Sequence, residues 1–184
     1  TVINIFAKNG LNVFDVEEIG THGGSLRVFA QCSDTGSHLV SSRVDDLLSR
    51  EASAGMSSIA FYQGFQEHAE KVKNEFLLFL IEQKKLGKVV IGYGAAAKGN
   101  TLLNFAGVKS DLIRYVVDRS PHKQNKFMPG SRIPIVSEER LSVDNPDFVV
   151  IFPWNISYEV KTQLSYLTKS GTKFVVAVPN LQIS

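Results

Sequence analysis

The sequence predicts an α/β protein: a Rossmann-like parallel sheet with helices on both faces, preceded by a β-hairpin and a long helix. Three observations carry this. Apolar strand-like runs alternate with helical stretches from residue 88 to residue 178, a pattern that requires a parallel sheet covered by helices. The first run, Val89-Val90-Ile91, passes directly into Gly92-Tyr93-Gly94 and a small-residue segment, the opening of a nucleotide-binding βαβ half. Ahead of it, residues 11–19 and 25–31 alternate apolar and polar positions around the connector Gly20-Thr21-His22-Gly23-Gly24, as half-buried strands joined by a turn do.

Taken in order, residues 1–10 read as the back half of an amphipathic helix closed by Asn9-Gly10. After the hairpin, residues 39–54 carry a short helix with Val44, Leu47 and Leu48 on one face. Gly55 interrupts it, and Ser57-Ser58 are placed to cap the next helix. That helix is predicted over 58–86. Phe61, Phe65, Ala69, Val72, Phe76, Phe79 and Leu80 recur at helical spacing, a stripe that packs on a sheet, and Gly87 stops it.

The unit from 88 to 118 carries the chemistry. Gly92-Tyr93-Gly94-Ala95-Ala96-Ala97 fits G-x-G-x-x-G/A, where glycine lets the backbone turn tightly beside a phosphate and the helix start offers N–H groups to the anion. Asp118 ends the second strand near the expected offset of about 20 residues, where an acid accepts ribose hydroxyls. Lys98 can lend charge to a phosphate, and Asn100 and Thr101 can cap the helix or meet a ligand. Ala97-Lys98-Gly99-Asn100 lacks the G-K-[ST] ending of a Walker loop. A long polar loop follows from Arg119 to Gly130, and loops of that length inside a domain are usually functional.

Beyond it the sequence predicts a strand at 133–136, a short helix at 137–141 and a buried strand at 147–152 ending in Pro153-Trp154-Asn155. A helix over 156–168 stopped by Gly171 and a last strand at 173–178 complete the series. Ligands on such sheets bind at the carboxyl ends of the strands, here Gly92 to Gly94, Asp118 to Ser120, Pro153 to Asn155 and Pro179-Asn180.

The 184 residues suffice for one good core or two small ones, and 43% hydrophobic with 21% charged content is that of an ordinary globular protein. A net charge of +2 without a basic, aromatic-interleaved stripe argues against nucleic acid as the main partner. The single cysteine, Cys32, rules out a disulfide framework or a cysteine-based zinc site, so the expected setting is cytoplasmic. No apolar run approaches the roughly 18 residues of a bilayer span. The start without methionine, within a helix-like segment, reads as a piece of a longer protein.

Five motifs occur in order: Thr21-His22-Gly23-Gly24-Ser25-Leu26-Arg27, Gly92 to Asn100, Asp118 to Gln124, Pro129-Gly130-Ser131-Arg132-Ile133-Pro134-Ile135, and Pro153-Trp154-Asn155. Together they resemble the C-terminal half of the S-adenosylmethionine-dependent sugar C-methyltransferases, over nearly the whole chain. The resemblance implies an acceptor-binding domain holding a nucleoside diphosphate keto-deoxysugar, most often a thymidine diphosphate sugar. It also implies an upstream zinc module, a domain binding S-adenosylmethionine, and a catalytic Tyr/Glu/His segment, none of them within this chain. On that reading residues 1–57 are the tail of the upstream catalytic domain and 58–184 the nucleotide-sugar domain. The fragment alone is then expected to be inactive, with no cofactor of its own.

The implied acceptor contacts are His22, Arg27, Gly92, Gly94, Ala95, Lys98, Asn100, Asp118, Lys123, Lys126, Trp154 and Asn155. Asp118 would meet ribose or base, Lys123 or Lys126 the diphosphate, and His22 and Arg27 the sugar or diphosphate. Each has a plainer reading. Arg27 alternates with Leu26 and Val28 and can face solvent, Trp154 can lid the core, and the lysines can be surface charges. His38, His68 and His122 receive no role. Two other readings stay open: an NAD(P)-binding oxidoreductase fragment, and a non-catalytic interaction module using the long helix.

Overall fold

A computed structural model describes residues 1–21 and 24–184, which form two compact units, Thr1–Phe65 and Gln66–Ser184. In the first, helix α1 (Val2–Lys8) leads into an antiparallel hairpin of β1 (Leu11–Ile19) and β2 (Ser25–Cys32), followed by α2 (Ser42–Ser53). Its core is Val13, Val16 and Val44, flanked by Ile3, Phe6, Val28 and Leu47. Strict strand alternation would put Val13 and Val16 on opposite faces. A bulge shifts the register between Val13 and Asp15, so both reach the same side. Ser41 caps α2, its hydroxyl accepting the Arg43 N–H.

The helix predicted over 58–86 is shorter. Ile59–Tyr62 forms a single 3-10 turn, Gly64 follows, and the α-helix α3 runs from Phe65 to Lys85. Glycine is the costliest ordinary residue in a helix interior, which accounts for the break. Of the apolar stripe only Phe76, Phe79 and Leu80 are buried, while Phe61 and Phe65 stand exposed. The helix ends at Gly87 (φ +70°), where Gly87 N–H bonds Lys84 O and Lys88 N–H bonds Gln83 O. That is the paired closure of a glycine-capped helix.

The second unit is built on a six-stranded sheet ordered β5-β4-β3-β6-β7-β8. Strands β3 (Val90–Tyr93), β4 (Val116–Val117), β5 (Ile135–Val136), β6 (Phe148–Ile151) and β7 (Lys173–Val176) pair in parallel. The predicted sheet gains one element, the edge strand β8 (Gln182–Ile183), antiparallel to β7 and too short to give a periodic signal. Alternation along the strands sorts two cores. Val90, Val116, Val150 and Val175 join Phe76, Phe79, Leu80, Leu102 and Leu103 on one face, and Ile91, Val117, Val149, Ile151 and Phe174 join Leu141, Val160, Leu164 and Leu167 on the other.

Three helices besides α3 cover the sheet: α4 (Ala97–Phe105), α5 (Glu139–Asp144) and α6 (Ser157–Gln163). The helix predicted over 156–168 is split, with 3-10 turns at Trp154–Ile156 and Ser165–Ser170 around α6. A 3-10 turn eclipses residues three apart, which aims both Leu164 and Leu167 at the sheet. No described helix is long and apolar enough to cross a membrane.

Candidate functional site

The chain runs outward from β3 through β4 to β5, then returns to the other side of β3 with β6. Such a reversal opens a crevice at the carboxyl ends of the two central strands. Those ends are Gly94 and Phe152-Pro153. Gly94 has φ +89°, and a Cβ there would lie 2.6 Å from Pro153 Cδ. Gly92 and Gly99 both stand against the Phe152 ring, at 2.4 and 2.5 Å from where a Cβ would be. The glycines of the turn thus serve close packing of strand, turn and helix on Phe152-Pro153. Across the reversal, Lys98 Nζ donates to Asn155 Oδ1 at 2.8 Å and lies 5.3 Å from the centre of the Trp154 ring. Three residues singled out in sequence meet here.

Asp118 is 8% exposed, and its carboxylate is engaged from three directions. Oδ2 accepts the Ala95 N–H at 2.8 Å and Lys123 Nζ at 3.2 Å, and Oδ1 accepts the Ser120 N–H at 2.9 Å. The Ser120 bond is the local turn that an aspartate makes two residues on. Gln124 Nε2 donates to the Asp118 carbonyl at 2.9 Å. A carboxylate has about four acceptor sites, so one is left for a ligand hydroxyl. From sequence, the backbone N–H groups around Gly94 to Lys98 are expected to face a phosphate. Three of them are engaged internally, Gly94 by Val117 O, Ala95 by Asp118 and Ala96 by Gly94 O.

The loop after Asp118 folds back as a tight hairpin. Asn125 N–H bonds Ile135 O, Ile135 N–H bonds Lys126 O and Met128 N–H bonds Ile133 O, with Phe127 bridged to Pro134. Met128 is buried, and Asn104 Nδ2 of α4 donates to Pro129 O at 2.9 Å. The loop is therefore tied to α4 at its far end, and its near end is tied through Asp118 to the turn that leads into α4. Between them lies a cleft of about 400 Å³ lined by Ala95 to Ala97, Asn100, His122, Lys123, Lys126, Phe127, Met128, Pro129 and Ile135. That size is within the range of about 300–1,000 Å³ typical of small-molecule sites.

The cleft brings together Ala95, Asn100, Lys123 and Lys126, with Asp118 one bond behind Ala95 and Lys123. His122 and Phe127 share it, although neither stood out in sequence. The available signal was an aromatic residue inside a polar, lysine-bearing loop. Arg27 lies in the first unit on β2, directly opposite Glu17 of β1, which accepts from its guanidinium at 3.0 Å. His22 lies outside the described residues. His38, also in the first unit, stacks on Phe14 with centroids 4.5 Å apart.

On the far face of the same sheet edge, Gln163 Nε2 donates to Tyr93 Oη at 2.8 Å and to Glu138 at 3.0 Å. Burial, then the charge of Glu138, push the Tyr93 hydroxyl above its ordinary range and keep it protonated. Among the described residues no group of three or more His, Cys, Asp or Glu side chains could hold a metal ion.

Sheet order, switch-point turn and carboxyl-edge cleft define a Rossmann-like α/β domain. The chain belongs to the C-methyltransferase C-terminal domain family, whose pattern matches residues 20–179. It is also 33% identical over 183 residues to the C-methyltransferase NovU of Streptomyces niveus, an alignment covering all of this chain and 43% of that protein. The chain thus spans less than half the length of this curated relative.

Proposed function

We propose that this chain is the acceptor-binding domain of an S-adenosylmethionine-dependent C-methyltransferase whose substrate is a keto-deoxysugar nucleotide, a thymidine diphosphate sugar being the one that the family resemblance implies. The observation that carries the reading is the cleft between α4 and the 119–130 loop, where two lysines and a histidine stand around Asn100 and the start of the helix. Lysine ammonium groups match a diphosphate, and the helix start adds favourable dipole. Lys123 and Lys126 hold the diphosphate and Asn100 a neighbouring polar group. Asp118 orients Ala95 and Lys123 and offers its remaining lone pair to a ribose hydroxyl.

Transfer to carbon requires removal of a proton alpha to the sugar's keto group, after which the enolate carbon attacks an electrophilic methyl. S-adenosylmethionine supplies that methyl group. Its sulfonium is positive, and a cleft carrying Lys123 and Lys126 disfavours it, which supports a donor site elsewhere in the parent protein. The proton-abstracting base and any zinc module belong to that other part as well. What these residues contribute is orientation, a large factor in any bimolecular transfer. Gly92, Gly94, Lys98, Trp154 and Asn155 shape the crevice beside the cleft. The isolated chain methylates nothing.

Residues 1–57 pack on the upstream methyltransferase domain in this reading. An apolar pocket of about 440 Å³ in the first unit, with Val2, Leu26, Leu48 and Met56 in its wall, suits such a contact. A lone exposed thiol, Cys32, suits a reducing cytoplasm.

Calorimetric titration with thymidine diphosphate, uridine diphosphate, S-adenosylmethionine and NAD tests the assignment. Saturable binding of thymidine diphosphate, weakened about 5- to 10-fold in Lys126→Ala without loss of stability, is the expected result. Binding of NAD alone would replace the reading with the oxidoreductase alternative.

A further inference from the structure

We infer that Phe127 is the platform on which the base of the bound nucleotide stacks. This rests on the proposal that the cleft takes a nucleoside diphosphate. Phe127 is 63% exposed, a costly position for a phenyl ring. One exposed apolar residue is ordinary on a protein surface. Phe127, however, lines the same cleft as Lys123, Lys126 and His122, so aromatic surface and positive charge face one volume. A nucleoside diphosphate has the matching pair of features, a flat π-system and a dianionic tail.

The backbone that carries the ring is also anchored. Its backbone bridges to Pro134, and the ladder continues on either side through Lys126 O to Ile135 N–H and Met128 N–H to Ile133 O. Met128 beside it is sunk in the core, and Asn104 grips Pro129. A platform whose backbone is fixed before the ligand arrives loses less conformational freedom on binding. Because every base offers a π-face, stacking contributes to affinity while discriminating weakly between pyrimidines. The sugar, not the base, then sets most of the selectivity of this domain.

The test is calorimetric titration of the wild-type chain, Phe127→Ala and Phe127→Trp with thymidine diphosphate, uridine diphosphate and inorganic pyrophosphate. Phe127→Ala is expected to weaken both nucleotides about 5- to 150-fold, to leave pyrophosphate affinity within about twofold of wild type, and to unfold at the wild-type urea midpoint. Phe127→Trp is expected to restore nucleotide affinity and to show fluorescence quenching by nucleotide but not by pyrophosphate. Wild-type nucleotide affinity in Phe127→Ala would overturn the inference and leave the cleft assignment standing. An equal loss for pyrophosphate would also overturn it, showing that the residue shapes the cleft rather than meeting the base. A wild-type chain that binds neither nucleotide nor pyrophosphate would overturn both.

Discussion

The Asp118 carboxylate accepts the Ala95 N–H at 2.8 Å, which ties the end of β4 to the glycine turn after β3. The same oxygen holds Lys123, so one acid fixes two walls of the cleft. Asp118→Asn removes the charge and turns an N–H₂ group towards donors that need an acceptor. It is expected to cost about 1.5–3 kcal/mol of stability and to weaken diphosphate binding. Urea denaturation and calorimetry on the same variant check the two effects together.

Gly99, in the first turn of α4, is the most telling packing position of the glycine motif. An alanine there gains helix propensity of about 1 kcal/mol but sets its Cβ 2.5 Å from Phe152 Cγ. Overpacking of this kind costs about 1–3 kcal/mol, and Phe152 is fully buried, with no open side to move to. We expect Gly99→Ala to lower the thermal midpoint despite the propensity gain. A raised midpoint would show that the ring yields.

The two ends of the aromatic stripe on α3 should behave differently. Phe76 is 0% exposed, whereas Phe65 is 73% exposed. Phe76→Ala is expected to cost about 3–5 kcal/mol, and Phe65→Ala to stay within about 0.5 kcal/mol, as read by chemical denaturation. Similar losses at both positions would mean that the whole stripe is covered.

Asp147 gives the acid limb of the stability curve a defined contributor. Its carboxylate accepts the Val89 N–H at 2.8 Å and Lys88 Nζ at 2.9 Å. The Val89 bond first, and Lys88 after it, hold its pKa below the ordinary value of 3.8 against an opposing effect of burial. A depressed folded pKa stabilises fully above the unfolded value, and that contribution disappears as pH falls through the folded one. Asp147→Asn should therefore flatten the pH dependence of unfolding below about pH 4. It should leave the slope between pH 6 and 8 unchanged. Denaturation midpoints across that range decide it.

Local physics made much of the second unit legible in sequence. Continuous apolar runs marked most of the parallel strands, Gly87 and Gly171 marked helix ends through their left-handed backbone, and Gly92-Tyr93-Gly94 with Asp118 marked the βαβ half. Lys98, Trp154 and Asn155 also declared themselves as residues, though not as a cluster. Where the reading slipped, the deciding force was not periodic. Gly64 broke the long helix, a bulge turned Val13 and Val16 to one face, and β8 was too short to register.

The α/β architecture, the order of most of its elements and the family resemblance can be read from the sequence, because these rest on spacing and on residue types that act within a few positions. The three-dimensional fold alone settled what the motif residues contact. It spent the Asp118 carboxylate on Ala95, Ser120 and Lys123, set Gly92 and Gly99 against Phe152, and placed Phe127 beside two lysines in one cleft. Those relations join elements far apart in the chain. Hydrogen-bond saturation and close packing, rather than local pattern, settle them.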